Sequence, residues 1–591
     1  MCQVLFGEVY YVIIRGMEKE SNIENIRHSL AHLLAMAVVE NDPKAKLAIG
    51  PTIENGFYYD FELSEHIGEE DLPKLEKKIK HYIKQNLEFK KLSDAELKDQ
   101  PYKDELIKEL VEKGETLSFY QSGDFVDLCS GPHITSTKEI DPNAFKLTKI
   151  AGAYWRGDEK NTMLTRIYGV AFENKEKLDE YLNMLKEAEK RDHRKLGKEL
   201  GLFTFSPLVG TGLPLFMPKG VIIRTELYNA LLEISKKYGV EQVEIPHIAK
   251  KRLYDISGHS EKFGEELLKV VGHYDEFVMK PVNCPHTTQI YAAVPRSYRD
   301  LPLRYVESTM MYRDEKPGEL GGLTRVRSIT VDDGHIFCTT EQIKDEAKNI
   351  ASIIEEFYSM LGMYGEHTVS LSVRDPEHHE KYIGEDKDWD SAEKMLQELS
   401  DELKLDAKKA EGEAAPYGPK LDYVFKDSLG REWQLATIQL DFSMPKRFEL
   451  TYTDKEGKLQ TPVMLHRAIL GSYERFMAIL IEHFAGAFPL WLSPVQVKVL
   501  PIADAHKKYA EEVFRKLKEN NIRAELDESN ETLGKKIRQG KIEKVPYMLV
   551  IGEKEVENKN VTVENREKGN EGAVGVEEFV EKLRNEIIKK S

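Results

Sequence analysis

The sequence predicts a multidomain α+β protein, and three observations carry that prediction. The chain is 591 residues long with 41% apolar residues, which as a soft prior suits about three or four domains with a core in each. Its hydrophobic patterning changes character along the chain, from short strands mixed with helices to long helices with strands, and then to regular strand–helix alternation. A long charged helical stretch, residues 174–200, runs into the Gly/Pro-rich segment LGLFTFSPLVGTGLPLFMPKG, which punctuates the chain like a connector.

Taken in order, residues 1–16 read as one strand-like segment within a short N-terminal piece, 1–20. A helix starts at Ser21, with Ser21 as N-cap and Glu24 three residues on as its capping-box partner. Ile26, Leu30, Leu33, Leu34 and Ala37 keep helical spacing behind it. This opens a domain over 21–173 that includes a charged helix near 70–85. The helical linker 174–200 follows, and then a large domain over 201–490 with a helix near 341–362 and a strand near 432–442. In the last domain, 491–591, VQVKVLPI, IRAELD and PYMLVIG read as strands. They alternate with helices over 505–520, 531–540 and 576–589, a pattern that predicts a small, mainly parallel sheet.

Composition narrows the class. No apolar run reaches the length of a membrane span. The N-terminal apolar segment lacks a basic region before it, so a cytoplasmic protein is expected. Four cysteines, Cys2, Cys129, Cys284 and Cys338, stand too far apart for a disulfide scaffold and fit a reducing compartment. The net charge of −17 argues against a non-specific nucleic-acid binder but leaves room for RNA read by shape through local basic surfaces.

Segment 311–337, MYRDEKPGELGGLTRVRSITVDDGHIF, sets arginines around a Gly/Pro-rich turn between two strand-like ends. A solvated hairpin is the commoner explanation of such a pattern. Phosphates, however, want guanidinium forks, and this frame would aim Arg313 and Arg325 into one cleft. KYGVEQVEIPHI ends a helix and enters a strand at Pro246, and LGSYERF carries Arg475 on a helix behind a glycine. In this order the three segments resemble the signature motifs of class II aminoacyl-tRNA synthetases. HIGE at 66–69 lacks a second histidine and no KMSKS run exists, so class I signatures are missing.

GLPLFMPKG, KPVNCP, RDEKPGELGGLTRVR, DDGHIF, YGPKLD, WQLATIQLDF and PVMLHRAILGSYERF together resemble the threonyl-tRNA synthetases, colinearly from about residue 22 onward. The resemblance implies an antiparallel class II catalytic sheet, an α+β editing domain before it and an α/β anticodon-binding domain after it. It implies ligation of L-threonine to tRNA(Thr) with ATP and Mg²⁺, hydrolysis of mischarged seryl-tRNA, and a homodimer through the catalytic domains. On its account Arg313 grips the α-phosphate, Arg325 and Arg475 hold the outer phosphates, Arg475 covers the adenine, and Glu315 helps to fix it. Such chemistry needs positioning and charge neutralisation more than a nucleophile.

The spacing of Cys284, His335 and His466 says nothing by itself. The resemblance implies that they bind one zinc ion per subunit, leaving positions open for the amine and hydroxyl of threonine. Asp333 would take the hydroxyl's hydrogen bond, with Tyr417, Gln434 and Gln439 lining the pocket and Lys420 assisting. Valine lacks the hydroxyl and is rejected; serine is not, so a second site is needed. His28 and His32 in HSLAH share one helix face, and VDLCSGPH sets Cys129 and His133 in a tight turn. Spacing alone suits a metal. The resemblance implies water-mediated ester hydrolysis instead, with Tyr59, Lys103 and Asp127 at matching places. In the last domain Asn530 and Glu555 match anticodon contacts, and Lys535, Lys536 and Arg538 suggest a basic helix face.

Departures from the family pattern also stand in the sequence. About 20 residues precede the HSLAH helix, so the usual ubiquitin-like domain is expected to be missing or vestigial. Ile329 replaces an aromatic, Val331 a glutamine and NCPH the usual NCPGH, while Glu564 stands where an anticodon-reading arginine is usual and Arg566 persists. These changes keep open an alternative: a divergent or non-catalytic paralogue that retains tRNA binding.

Overall fold

The computed structural model describes residues 22–158, 160–365 and 367–590. The strand expected over 1–16 and the Ser21 cap lie outside the described residues. The chain divides into two compact units, one ending at Lys186 and one running from Glu187 to Ser591.

In the first unit, helix α1 (Asn22–Asn41) buries Leu30, Leu33, Leu34 and Ala37 completely, as their spacing requires. It packs on strand β1 (Gly56–Glu62) and on helix α2 (Leu72–Lys84), whose Leu72, Leu75, Ile79 and Ile83 form one apolar stripe. A three-stranded antiparallel sheet joins Phe89–Leu92 to strands β2 (Phe119–Ser122) and β3 (Phe125–Leu128). Strands β4 (Phe145–Tyr154) and β5 (Met163–Ala171) extend the main antiparallel sheet, with β5 between β1 and β4.

The helix expected over 174–200 is two helices, Lys175–Arg191 and α3 (His193–Glu199). Asp192 has non-helical backbone between them, and its carboxylate accepts the Arg194 N–H as the N-cap of α3. The Gly/Pro-rich connector then forms a small hairpin, Phe203–Thr204 against Leu215–Phe216, and leads into α4 (Pro218–Lys236). A short strand, β6 (Glu241–Gln242), follows it, and a second, Ile248–Ala249, begins two residues past Pro246, where the sequence predicts a strand.

Helix α5 (Cys284–Ala292) precedes the long antiparallel pair β7 (Leu303–Tyr312) and β8 (Ser328–Cys338). After α6 (Ile343–Met360) come β9 (His367–Val373), β10 (Lys408–Glu411), β11 (Lys420–Lys426), β12 (Glu432–Asp441), β13 (Val463–Ala468) and helix α7 (Tyr473–His483). They complete an eight-stranded sheet ordered β6-β7-β8-β13-β12-β11-β9-β10, antiparallel except for its two outermost pairs. Helices α6 and α7 cover one face. Ile354, Phe357, Phe476 and Leu480 are fully buried there against Leu421, Tyr423 and Ile438. Each such side chain contributes about 1.5–3 kcal/mol. The other face carries the site.

The last domain holds β14 (Val497–Pro501), α8 (Lys507–Glu519), β15 (Ala524–Leu526), α9 (Leu533–Ile542), β16 (Tyr547–Ile551), β17 (Asn560–Asn565), β18 (Gly569–Gly575) and α10 (Val576–Lys589). The mainly parallel sheet expected here is mixed. β15, β14 and β16 run parallel, but β17 and β18 return as an antiparallel hairpin on the edge. The polar, glycine-containing NREKGNEG run hid that hairpin from a strand pattern.

Candidate functional site

The period-two alternation of β8 sorts the cleft. Val331, Asp333 and His335 face the cavity, while Asp332, Ile336 and Cys338 point to the helix side. Asp332 is fully buried and accepts two hydrogen bonds from Arg467, at 3.0 and 3.1 Å. Arg467 passes over Gly334 to reach it, and a Cβ there would stand 2.5 Å from its Nε. This buried pair clamps β8 to β13.

Sheet register brings together two of the three candidate metal ligands, because His335 on β8 is the direct partner of His466 on β13. Cys284 enters from the first turn of α5, and one donor atom from each of the three lies within 4.8 Å of the others. Their outer hydrogen bonds select the donors. His466 Nε2 is held by Asp441 Oδ2 at 2.9 Å, which leaves Nδ1 for a ligand. His335 Nδ1 meets Thr287 Oγ1 at 3.2 Å, while its Nε2 is buried with no hydrogen-bond partner. Burial lowers His335 to about 4, so its imidazole is neutral, as a ligand must be. A thiol and two oriented imidazole nitrogens are a donor set that fits zinc.

The cavity beside these ligands is lined by Arg313, Asp333, Tyr417, Thr437 and Gln439. Asp333 accepts from Asn283 Nδ2 at 3.1 Å. The Tyr417 hydroxyl donates to Gln439 Oε1 at 2.7 Å, and its ring stacks on His466 at 4.8 Å. Gln434 and Lys420 do not line this cavity. Leu435 and Ala436 both pack into the core where a bulge shifts β12 against β11, so Gln434 returns to the site face upstream of the cavity. Lys420 is buried and paired with Asp422 at 2.6 Å.

Arg313 follows β7 directly, with its guanidinium 4.9 Å from the centre of the Phe263 ring. The turn after it brings Arg325 to the buried Glu315 carboxylate at 2.6 Å and to Glu319 at 2.7 Å. In this structure, therefore, Glu315 holds the arginine. Arg475, in the first turn of α7, donates from Nε to the Thr324 carbonyl at 3.2 Å. Burial, and then the charge of Arg325 nearby, lower its pKa. Two guanidiniums kept this close in a partly dry cleft make an anion site.

A second cluster lies in the first unit. Cys129 Sγ sits 3.0 Å from His28 Nε2 and 3.2 Å from His133 Nε2, and the two imidazoles stack at 4.4 Å. Pro132, behind a cis peptide bond, offers its carbonyl to His28 Nδ1, and Ser29 Oγ holds His133 Nδ1 at 3.0 Å. Burial lifts the Cys129 thiol to about 11 and holds His133 far below its usual range. It also lowers His32 to about 4. His32 shares the helix face of His28 but not its hydrogen-bond partners. Its ring is buried edge-on to Phe125 and His133, with both nitrogens unpartnered. Lys103 and Asp127 form a buried pair at 2.8 Å, and the Tyr59 hydroxyl donates to Asp127 at 2.5 Å. Neutral imidazoles and a protonated thiol can orient a water, and the same three donor atoms within 4.8 Å of one another can hold a metal.

In the last domain Asn530 is exposed before α9, but Glu555 accepts from Thr562 Oγ1 at 2.8 Å and from the Gly552 N–H at 2.9 Å. Lys536 does not join a basic face, because it is buried with Nζ on the Pro501 and Asp527 carbonyls. Arg566 is tied to the Lys544 and Phe488 carbonyls. Sequence reasoning missed Asp441, Thr287, Asn283, Ser29 and Thr437. Asp441 and Asn283 stood inside quoted motifs (WQLATIQLDF and KPVNCP) without a role. Ser29 and Thr437 stood likewise inside HSLAH and WQLATIQLDF, and no signal marked Thr287, whose partner His335 is remote in sequence.

The tRNA synthetase class II core domain (G, H, P, S and T) matches residues 269–484, and an anticodon binding domain matches 496–586. The threonyl and alanyl tRNA synthetase second additional domain matches 117–168. A threonine–tRNA ligase of Gloeobacter violaceus is 48% identical over 98% of this chain and 94% of its own. One from Thermus thermophilus is 48% identical over 95% and 89%. Among solved structures, the RNA binding domain of threonyl-tRNA synthetase from Cryptosporidium parvum superposes with a TM-score of 0.64 at 36% identity. It covers 67% of this chain and 98% of that one.

Proposed function

This chain belongs to the threonine–tRNA ligase family, and from that premise we propose how its residues divide the work. The family reaction joins L-threonine to tRNA(Thr) at the expense of ATP, by way of threonyl-adenylate, and a second site hydrolyses mischarged seryl-tRNA. The observation that carries the assignment of residues is the convergence of Cys284, His335 and His466 on a cavity that Asp333 and Arg313 also line.

In this reading the threonine carboxylate attacks the α-phosphorus and diphosphate leaves. Arg313 neutralises charge on the α-phosphate, and Arg325 and Arg475 hold the outer phosphates with their Mg²⁺. Glu315 keeps Arg325 in place. Cys284, His335 and His466 would hold a zinc ion, which would supply a Lewis acid for the amine and hydroxyl of threonine, a contact that valine cannot make. Asp333 takes the hydroxyl proton's hydrogen bond, and the Tyr417–Gln439 pair closes the wall. Gln434 and Lys420 support the substrate pocket from outside the cavity wall.

Serine satisfies the same contacts apart from one methyl, worth only about 1–3 kcal/mol. The His28–Cys129–His133 cluster therefore serves as the editing site, orienting a water and the terminal ribose, with Lys103, Asp127 and Tyr59 as its rigid rim. Asn530 and Glu555 are the anticodon contacts. Glu555 must give up its present hydrogen bonds to serve. A homodimer forms through the catalytic domain. Leu208, Val209, Leu215, Met217 and Val221 are all exposed around the connector hairpin, and an apolar patch of this kind suits a subunit interface. Among the described residues no helix is long and apolar enough to cross a membrane. We assign a cytoplasmic location on the cysteine usage.

The non-catalytic alternative is not favoured, because the relatives are ligases over nearly the whole chain and Arg313, Arg325, Arg475, Cys284, His335 and His466 are all present. Threonine-dependent ATP–pyrophosphate exchange, followed by charging with threonine and with serine, tests the proposal. The wild type should charge threonine only, and His28→Ala should activate threonine normally but release seryl-tRNA. No exchange by the wild type refutes the ligase assignment, and unchanged seryl-tRNA hydrolysis in His28→Ala refutes the editing assignment.

A further inference from the structure

We infer that His193 is a positioning residue that holds the ATP-gripping turn in register with the helix carrying Arg475. It stands at the first position of α3, 5% exposed, outside the cavity wall. The Leu323 N–H donates to His193 Nε2 at 3.1 Å, and His193 Nδ1 lies 2.6 Å from Glu482 Oε1. A backbone amide can only donate and a carboxylate only accept, so the ring is neutral, with its proton on Nδ1.

Each partner leads to the phosphate site. Leu323 is followed by Thr324, whose carbonyl accepts from Arg475, and then by Arg325. Glu482 lies two helical turns after Arg475 on α7. Its other oxygen is held by Arg431, itself paired with Asp427, so Glu482 is a fixed post. One imidazole therefore closes a circuit from the turn to the helix and back through Arg475. Gly322 is part of the same device. Its φ is +55°, and a Cβ there would stand 2.3 Å from His193 Nε2, so the turn comes this close because residue 322 has no side chain.

Asp192, His193 and Glu482 have donor atoms within 4.8 Å of one another, as a cation site would. Both ring nitrogens are already engaged, however, and a cation would have to displace the Leu323 amide. The geometry favours a latch.

The inference rests on reading Arg325 and Arg475 as ATP ligands, and two substitutions of the full-length protein test it. In His193→Asn the side-chain amide N stands in for Nδ1 and keeps Glu482 but cannot reach Leu323. In His193→Gln the longer amide offers its oxygen at the Nε2 position. Losing the partner of a buried N–H should raise KM for ATP in threonine-dependent pyrophosphate exchange by on the order of tenfold in His193→Asn. KM for threonine should hold, and His193→Gln should recover most of the loss. Wild-type KM for ATP in both variants overturns the inference, as does a parallel rise of both KM values with a fall in Tm. If neither variant folds, amide hydrogen exchange of the wild type decides. Protection of the Leu323 amide supports the latch and fast exchange overturns it. Absence of exchange activity in the wild type would sink the ligase assignment itself, a separate failure.

Discussion

Asp441→Asn changes one oxygen to an NH₂ group at a site where both oxygens are in use. Oδ1 accepts the Ser443 and Met444 N–H groups at 2.7 and 2.9 Å, and Oδ2 accepts from His466 Nε2 at 2.9 Å, all with the carboxylate fully buried. If the asparagine keeps its oxygen on the two amides, its NH₂ faces the His466 Nε2–H. The imidazole must then move its proton to Nδ1, the nitrogen left for zinc. If the side chain flips, His466 keeps its partner but the turn after β12 loses a cap, worth about 1 kcal/mol. Loss of an outer hydrogen bond to a ligating histidine lowers metal affinity by about 10–100-fold, or roughly 1.4–2.8 kcal/mol. Chelator competition measures the zinc affinity, and pyrophosphate exchange at saturating zinc measures KM for threonine. We expect weaker zinc binding, a higher KM for threonine and an unchanged KM for ATP. Wild-type zinc affinity together with wild-type KM for threonine would refute the reasoning.

Three further outcomes are expected. Removing zinc with a chelator, or Cys284→Ser, should abolish threonine activation, and elemental analysis should show one zinc per chain in the wild type and none in the variant. A second zinc surviving in Cys284→Ser would place a metal at His28, Cys129 and His133. His32 is buried with its pKa lowered to about 4, so the unfolded chain binds its proton first as pH falls. Its contribution is complete above the unfolded value near 6.5 and is lost between there and about 4, on the order of 3 kcal/mol. Urea unfolding followed in the first unit should lose that pH slope in His32→Leu, and an equal slope in both proteins would contradict the account. Asp127→Asn should destabilise the first unit by about 3–5 kcal/mol through the uncompensated Lys103 charge, read as a fall in its urea midpoint.

Long helices such as α1, α2 and α6 were legible because a helical apolar period runs along each of them. The two-residue strands of the connector and the hairpin β17–β18 were not, since their stability comes from neighbouring strands. The helix drawn through 174–200 missed its break for a related reason: Asp192 and His193 look helical in isolation, and only Glu482 and Leu323 explain why the chain turns there. Lys536 read as a solvated cation until the carbonyls of Pro501 and Asp527 accounted for its burial.

Residue chemistry was the sequence's to determine: a thiol, imidazoles, arginines around a turn, and motifs in an order that matched one family. Tertiary structure decided which of them act together and through which atoms. His335 and His466 meet because β8 and β13 pair in one register, and a one-residue slip would turn either of them to the helix side. Asp441 and Thr287 choose the free nitrogen of each ring, and Glu482 and Leu323 engage both nitrogens of a third. Periodicity records which face a side chain takes, but the proton it carries is set by partners far along the chain, and folding alone brings those within hydrogen-bond reach.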